Sequence, residues 1–121
     1  MRIAVPIWED KVSPLLDTAS KLLIIESETQ KEVSRFEAFL LEQDIPRRCH
    51  FIQGLNINVL ICGAVSRQLS GMLSASEIKV ISGISGPAEK VLEAYLQGTL
   101  LNSGFFMPGK NINHLDQSNK P

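Results

Sequence analysis

VLICGAVS, residues 59–66, decides the architecture: an apolar run of strand length ends in cysteine and glycine, and a serine then opens a helical pattern. The run extends back to Ile57, and INVLIC (57–62) is almost continuously apolar, as expected of a strand covered on both faces. Ser66 is placed to cap a helix whose Leu69, Met72 and Leu73 form a buried stripe. The design then recurs. IKVIS (78–82) is a second short strand, and SGISGP (82–87) leads into a helix with Pro87 in its first turn. Ala88, Val91, Leu92, Tyr95 and Leu96 share one face of that helix, Glu89, Lys90 and Glu93 fall on the other, and Gly98 suits its end.

Upstream the pattern is different. RIAVPIW (2–8) reads as a strand in which Pro6 removes a ladder donor, so a bulge or an open edge is expected there. Residues 9–20 read as a loop around the Ser13-Pro14 turn signal, and LLIIES (22–27) and EVSRFEAF (32–39) as a hairpin. Asp44 and Pro46 open a short helix that ends near Gly54, with Cys49 and Ile52 on its inner face. The order β-β-β-α-β-α-β-α predicts an α/β fold with a mixed five-stranded sheet and helices on both faces. Right-handed crossovers make the strands at 57–62 and 78–82 parallel. Residues 1–107 form one domain in this reading, and the polar, aperiodic stretch 108–121 is a mobile tail.

Bulk properties exclude several functions. Twelve basic and thirteen acidic residues give a formal charge of -1 over 121 residues, so no positive field attracts nucleic acid. No apolar run approaches the roughly 18 to 20 residues of a membrane span, and the N-terminus is too short in apolar residues for a signal peptide. A cytoplasmic protein with Cys49 and Cys62 as thiols is expected.

The chemistry points to the two strand-to-helix junctions. Ligands of open α/β sheets bind outside the carboxyl ends of the strands, where helix starts carry partial positive charge and glycine lets backbone N–H groups approach. Cys62, Gly63, Ala64, Val65 and Ser66 form the first candidate cradle, and Gly83, Ile84, Ser85 and Gly86 the second. The ligand this predicts is an anion, or a cluster with anionic ligands. Neither junction is a Walker loop or a dinucleotide fingerprint. Metal spacing is absent too: there is no C-x-x-C, and Cys49 and His50 are adjacent on a helix and point apart. Two readings of Cys62 stay open, a core thiol or a soft metal ligand. A two-metal hydrolase needs converging carboxylates, yet the first strand has none and only Glu9 and Asp10 follow it. No nucleophile motif appears, so the protein is not expected to be an enzyme. Arg47, Arg48 and Arg67 have two readings, contacts to an anion or, the commoner case, solvated helix charges.

VLICGAVSRQL at 59–69 and IKVISGISGPAEKVLEAYLQGTL at 78–100, with MRIAVP at the start and Ser13-Pro14, resemble the dinitrogenase iron-molybdenum cofactor biosynthesis family of NifX-like and NafY-like small proteins. The resemblance covers residues 1–107. It implies a ribonuclease-H-like three-layer fold, and a non-catalytic carrier or insertion factor for an anionic metal–sulfur cluster containing iron or molybdenum. It also implies a protein that donates or accepts the cluster, and it brings the loop at Ser13, Pro14 and Leu15 into the site. Family members often carry His-Phe-Gly after the Ser-Pro turn, with the histidine a cluster ligand. This sequence has Leu15, Leu16 and Asp17 there. An interaction or regulatory module that kept the fold without the cofactor is the alternative; oligomeric state is left open.

Overall fold

A computed structural model describes residues 1–102 and 104–107. The strands are β1 (Arg2–Trp8), β2 (Lys11–Val12), β3 (Lys21–Glu28), β4 (Lys31–Phe39), β5 (Val59–Ile61) and β6 (Lys79–Ile81), and the helices α1 (Ile45–Gly54), α2 (Arg67–Ala75) and α3 (Ala88–Leu96). Single 3-10 turns lie at Leu16–Thr18 and Leu100–Asn102. Five strands line up in the order β4-β3-β1-β5-β6, and β2 pairs with the end of β1. The β1, β3 and β4 meander is antiparallel, whereas β1, β5 and β6 run parallel.

Alternation along the strands divides the apolar side chains between two cores. Ile3, Val5 and Ile7 of β1, with Leu23, Ile25, Val59 and Ile61, pack against Ala88, Val91 and Leu92 of α3. Ala4, Leu22, Ile24, Leu60 and Cys62 face the other way, onto Cys49 and Ile52 of α1 and Leu69 and Leu73 of α2. Each buried aliphatic side chain contributes about 1.5–3 kcal/mol of transfer free energy. Three layers result, α3 on one face of the sheet and α1 with α2 on the other, which is the ribonuclease-H-like arrangement that the sequence resemblance implies.

Two local differences from the sequence reading have physical causes. Lys11 and Val12, inside the expected loop, pair with Trp8 and Ile7 after a turn in which Glu9 takes φ 57°. Two residues are too few to display an alternation. Pro6 sits in a strand with neighbours on both sides, yet its carbonyl accepts the Ser13 N–H at 2.8 Å. A residue's N and O point to the same side of a strand, so the nitrogen that lacks a proton faces away from β3 and the β1–β3 ladder loses no bond. The stretch 108–121, read as a tail, lies outside the described residues.

Candidate functional site

The two junctions lie side by side. β5 and β6 pair in register, Val59 with Lys79 through Ile61 with Ile81. Beyond their ends the pairing continues: Cys62 N–H donates to the Ile81 carbonyl (2.8 Å), Ile84 N–H to that of Cys62 (3.0 Å) and Gly83 N–H to that of Gly63 (2.8 Å). Gly83 holds φ 78°, a left-handed value that glycine adopts at little cost.

The loop after β2 is laced onto the first junction. Ala64 N–H donates to the Pro14 carbonyl at 2.8 Å, and Leu16 N–H to that of Ala64 at 2.9 Å. A Cβ on Gly63 would stand 2.7 Å from the carbonyl oxygens of both Ser13 and Pro14. Gly63 is therefore required by this close approach of two backbones. Ser13, Pro14 and Leu15 thus do meet residues 62–66, with Ser13 buried and Leu15 exposed at the rim. Asp17 completes the contact, its Oδ1 accepting the Ser66 N–H at 2.8 Å. Ser66 caps α2 by accepting the Leu69 N–H at 3.2 Å. A carboxylate of the chain itself therefore occupies the start of α2, where an incoming anion would be attracted.

The second junction is overlaid by residues 104–107. Ser85 N–H donates to the Phe105 carbonyl at 2.6 Å, Met107 N–H to that of Gly83 at 2.7 Å, and Phe106 bridges Ile84. Gly86, at φ 124°, lies under the Phe105 ring, whose Cδ1 would be 3.0 Å from an added Cβ. The first N–H of α3, that of Ala88, donates to the Asp10 carbonyl at 2.9 Å. An amide bonded inside the chain has nothing left for a ligand. The amides of Ala64, Ser66, Gly83, Ile84, Ser85 and Ala88 are spent in this way. Those of Gly63, Val65 and Gly86 have no acceptor among the described residues.

Cys62 is fully buried and packs with the α1 and α2 core, on the same face as Leu60. It belongs to the core and does not line the outer edge. Cys49 is buried as well, its thiol pushed up in pKa first by desolvation, with the Ser76 hydroxyl a smaller opposing influence. His50 is exposed on α1. Among the described residues no three His, Cys, Asp or Glu side chains converge as a metal site.

Arg48 overturns its sequence reading. It is only 2% exposed, and its Nη1 donates to the carbonyls of Ala19 (2.7 Å) and Leu16 (3.3 Å), while Nε has no partner. Desolvation pulls its pKa down, and the charges of Asp17 and Glu42 oppose that shift. Arg48 thereby pins the loop that carries Asp17. No local motif announces either residue, because their partners are far away in sequence. Arg47 and Arg67 are exposed.

The family profile described as dinitrogenase iron-molybdenum cofactor matches residues 1–98. The chain belongs to that family. Solved structures agree on the fold of this dinitrogenase iron-molybdenum cofactor family member. PH0822 shares 19% identity at a TM-score of 0.75, over 81% of this chain and 90% of its own. MJ0327 of Methanocaldococcus jannaschii shares 20% at a TM-score of 0.69, over 82% and 90%. The apo form of the orange protein from Desulfovibrio gigas shares 20% at 0.68, over 81% and 88%. Among proteins of curated function none matches the chain. No helix among the described residues is long and apolar enough to cross a membrane.

Proposed function

We propose that this family member is a cytoplasmic, non-catalytic carrier or insertion factor that holds an anionic metal–sulfur cluster, of iron–sulfur or molybdenum type, at the carboxyl edge of β5 and β6 and exchanges it with a partner protein. The supporting observation is the pairing of two glycine-bearing strand-to-helix turns at one edge, tied by the 2.8 Å bond from Gly83 N–H to the Gly63 carbonyl. The donors still open there, the amides of Val65 and Gly86 with the hydroxyls of Ser66 and Ser85, suit sulfide or oxo acceptors on a cluster; the Gly63 amide is buried beneath the Ser13-Pro14 loop. They do not suit a bare metal ion. With Cys62 in the core and leucine at position 15, the edge supplies neither thiolate nor imidazole. The cargo in this reading therefore arrives with its inorganic ligands in place and is held by hydrogen bonds.

The direct test is anaerobic incubation with tetrathiomolybdate, or with iron and sulfide, followed by gel filtration, metal analysis and amide NMR. Co-elution of metal with shifts at residues 63–66 and 83–86 is expected. Absence of both overturns the carrier reading.

The carboxylate of Asp17 on the Ser66 amide favours a second reading, an interaction or regulatory module that kept the fold and gave up the cofactor. A stable protein complex isolated without metal, from a protein that also fails to retain a cluster, would establish it instead.

A further inference from the structure

β4 is the outermost strand on its side of the sheet; β3 is its neighbour, and no strand among the described residues covers its other edge. Every β4 residue except Ala38 is exposed, including Val33, Phe36 and Phe39. The unpaired outer N–H and C=O groups of such an edge can take another strand, and the charges that natural edges carry against this, here Lys31, Glu32, Arg35 and Glu37, restrict which strand fits. Here the ladder to β3 slips once: Glu32 faces Ser27 and Ser34 faces Glu26, which leaves Val33 as the extra residue of a bulge. From Ser34 to Phe39 pairing with β3 is regular.

We infer that this edge pairs with β4 of a second copy of the chain, antiparallel, about a two-fold axis that passes through Phe36. An axis normal to the sheet keeps each face on its own side, so only residues of equal parity can stand opposite one another. Through Phe36, the side chain of Arg35 meets Glu37 of the second copy, twice over by symmetry. On the other face Phe36 meets Phe36 and Ser34 meets Ala38. Opposite charges and aromatic rings directly across a strand pair are favourable, and like charges there are unfavourable. Moving the axis to Arg35 opposes two arginines, and moving it to Glu37 opposes two glutamates. An axis at Ser34 puts the Val33 bulge beside its centre, opposite Arg35, whereas with the axis at Phe36 the bulge falls at the end of the ladder, opposite Phe39. Of the axes at residues 34 to 37, the one at Phe36 therefore alone opposes unlike charges at its centre without bringing the bulge there, and a second copy of the same strand supplies both halves of each pair.

The surroundings fit that register. Arg35 is held in place on the α3 face by Glu32 and Glu89, whose carboxylates engage Nε, Nη1 and Nη2 at 2.6–3.0 Å, so that one Nη1 proton is left for Glu37 of the second copy. Glu37 is only loosely engaged, 3.6 Å from Lys21. Phe36 lies beneath Arg2, with the guanidinium carbon 5.7 Å from the ring centre, so the ring is braced from its own chain and open toward the axis.

Sedimentation of the full chain over a wide concentration range tests this. The expected result is a mass rising from 13.4 kDa toward twice that value. Phe36→Lys and Phe36→Glu, each folded by circular dichroism, are each expected to remain monomeric, because like charges meet at the axis; an equimolar mixture regains the dimer. Arg35→Glu and Glu37→Arg form a second such pair, monomeric alone and dimeric together. A wild-type chain that stays monomeric at every concentration overturns the proposal and leaves the edge to a foreign strand. A dimer that survives Phe36→Lys, or folded variants that fail to complement, overturns it in favour of another surface.

Discussion

The carboxylate of Asp17 accepts the Ser66 amide at 2.8 Å across 49 residues of chain, and in doing so puts a negative charge at the start of α2. Arg48 holds the same loop from behind through the Leu16 and Ala19 carbonyls. The first junction is thus closed by a charge of the chain itself, and cargo of like charge must approach beside it.

Asp17→Ala is accordingly expected to act in two directions. Loss of the helix-end hydrogen bond and charge costs about 1 kcal/mol of stability. The relieved repulsion raises affinity for tetrathiomolybdate roughly tenfold, corresponding to about 1.4 kcal/mol. Asp17→Asn, which keeps an acceptor, should recover most of the stability while retaining the affinity gain. Denaturant titration and equilibrium dialysis on the three proteins separate the two effects; unchanged affinity in both variants would place the ligand elsewhere.

Leu15→His addresses the missing ligand. Leu15 is at the rim, 36% exposed and paired through its backbone with Ala64, so a larger polar side chain is accommodated without opening the core. In the proposed carrier, a cluster held by hydrogen bonds alone in the wild type would gain an imidazole nitrogen in the variant. The variant is expected to retain more iron or molybdenum after gel filtration, with a shifted visible absorption band and a change in thermal midpoint within about 1 °C (~0.3 kcal/mol).

Gly63→Ala probes the close approach of the two backbones. Its new Cβ would lie 2.7 Å from two carbonyl oxygens belonging to different residues, and neither is the movable end of a side chain. Overpacking of this kind costs about 1–3 kcal/mol. A lowered denaturation midpoint with unchanged m-value is expected, whereas Gly54→Ala, where an added Cβ meets nothing within 4 Å, should leave the fold intact.

The layers were legible in the sequence because periodicity carries them. INVLIC, Leu69 with Leu73, and Val91 with Leu92 each repeat at the spacing of the element they form, and the structure buries them accordingly. Period two even contains the answer for Cys62. It lies two residues after Leu60, so it must share the face that looks toward α1 and α2. Its place at the strand end, beside a glycine turn, is equally compatible with a ligand and does not alter that parity. What sequence could not display is the occupation of the donors. That the Ser66 amide is taken by Asp17, or the Ser85 amide by the Phe105 carbonyl, depends on chain segments far away in sequence. Glycine near a helix start has the same appearance whether it awaits a ligand or a backbone.

Arg48 is expected to be the costliest single charge to remove. It is buried, and it donates to two carbonyls that no water reaches readily. Arg48→Met keeps much of the packing volume yet strands both acceptors, at about 2–3 kcal/mol. The distinguishing readout is local: hydrogen exchange at residues 16–19 and 66 should accelerate more than exchange in β1 and β3.

Stability should decline on both sides of neutrality, for reasons that can be assigned. On the acid side, the N-terminal ammonium, followed by Arg2, holds the Glu26 carboxyl below its ordinary 4.5, and Arg35 does the same for Glu89. A depressed carboxylate pKa means that the unfolded chain takes up protons first, so this stabilisation is complete above about pH 4.5 and is lost as pH falls through the lower folded values. Both carboxylates are solvent-accessible, which keeps the loss small and salt-sensitive. On the alkaline side, burial raises the Cys49 thiol above 9.0. The unfolded thiol then ionises while the folded one remains protonated, so stability falls as pH rises beyond about 9. Denaturation midpoints across pH should therefore form a plateau with two shoulders. Glu89→Gln should flatten part of the acid shoulder, Cys49→Ser should remove the alkaline one, and added salt should reduce only the acid one. A shoulder that ignores its own substitution belongs to a different group.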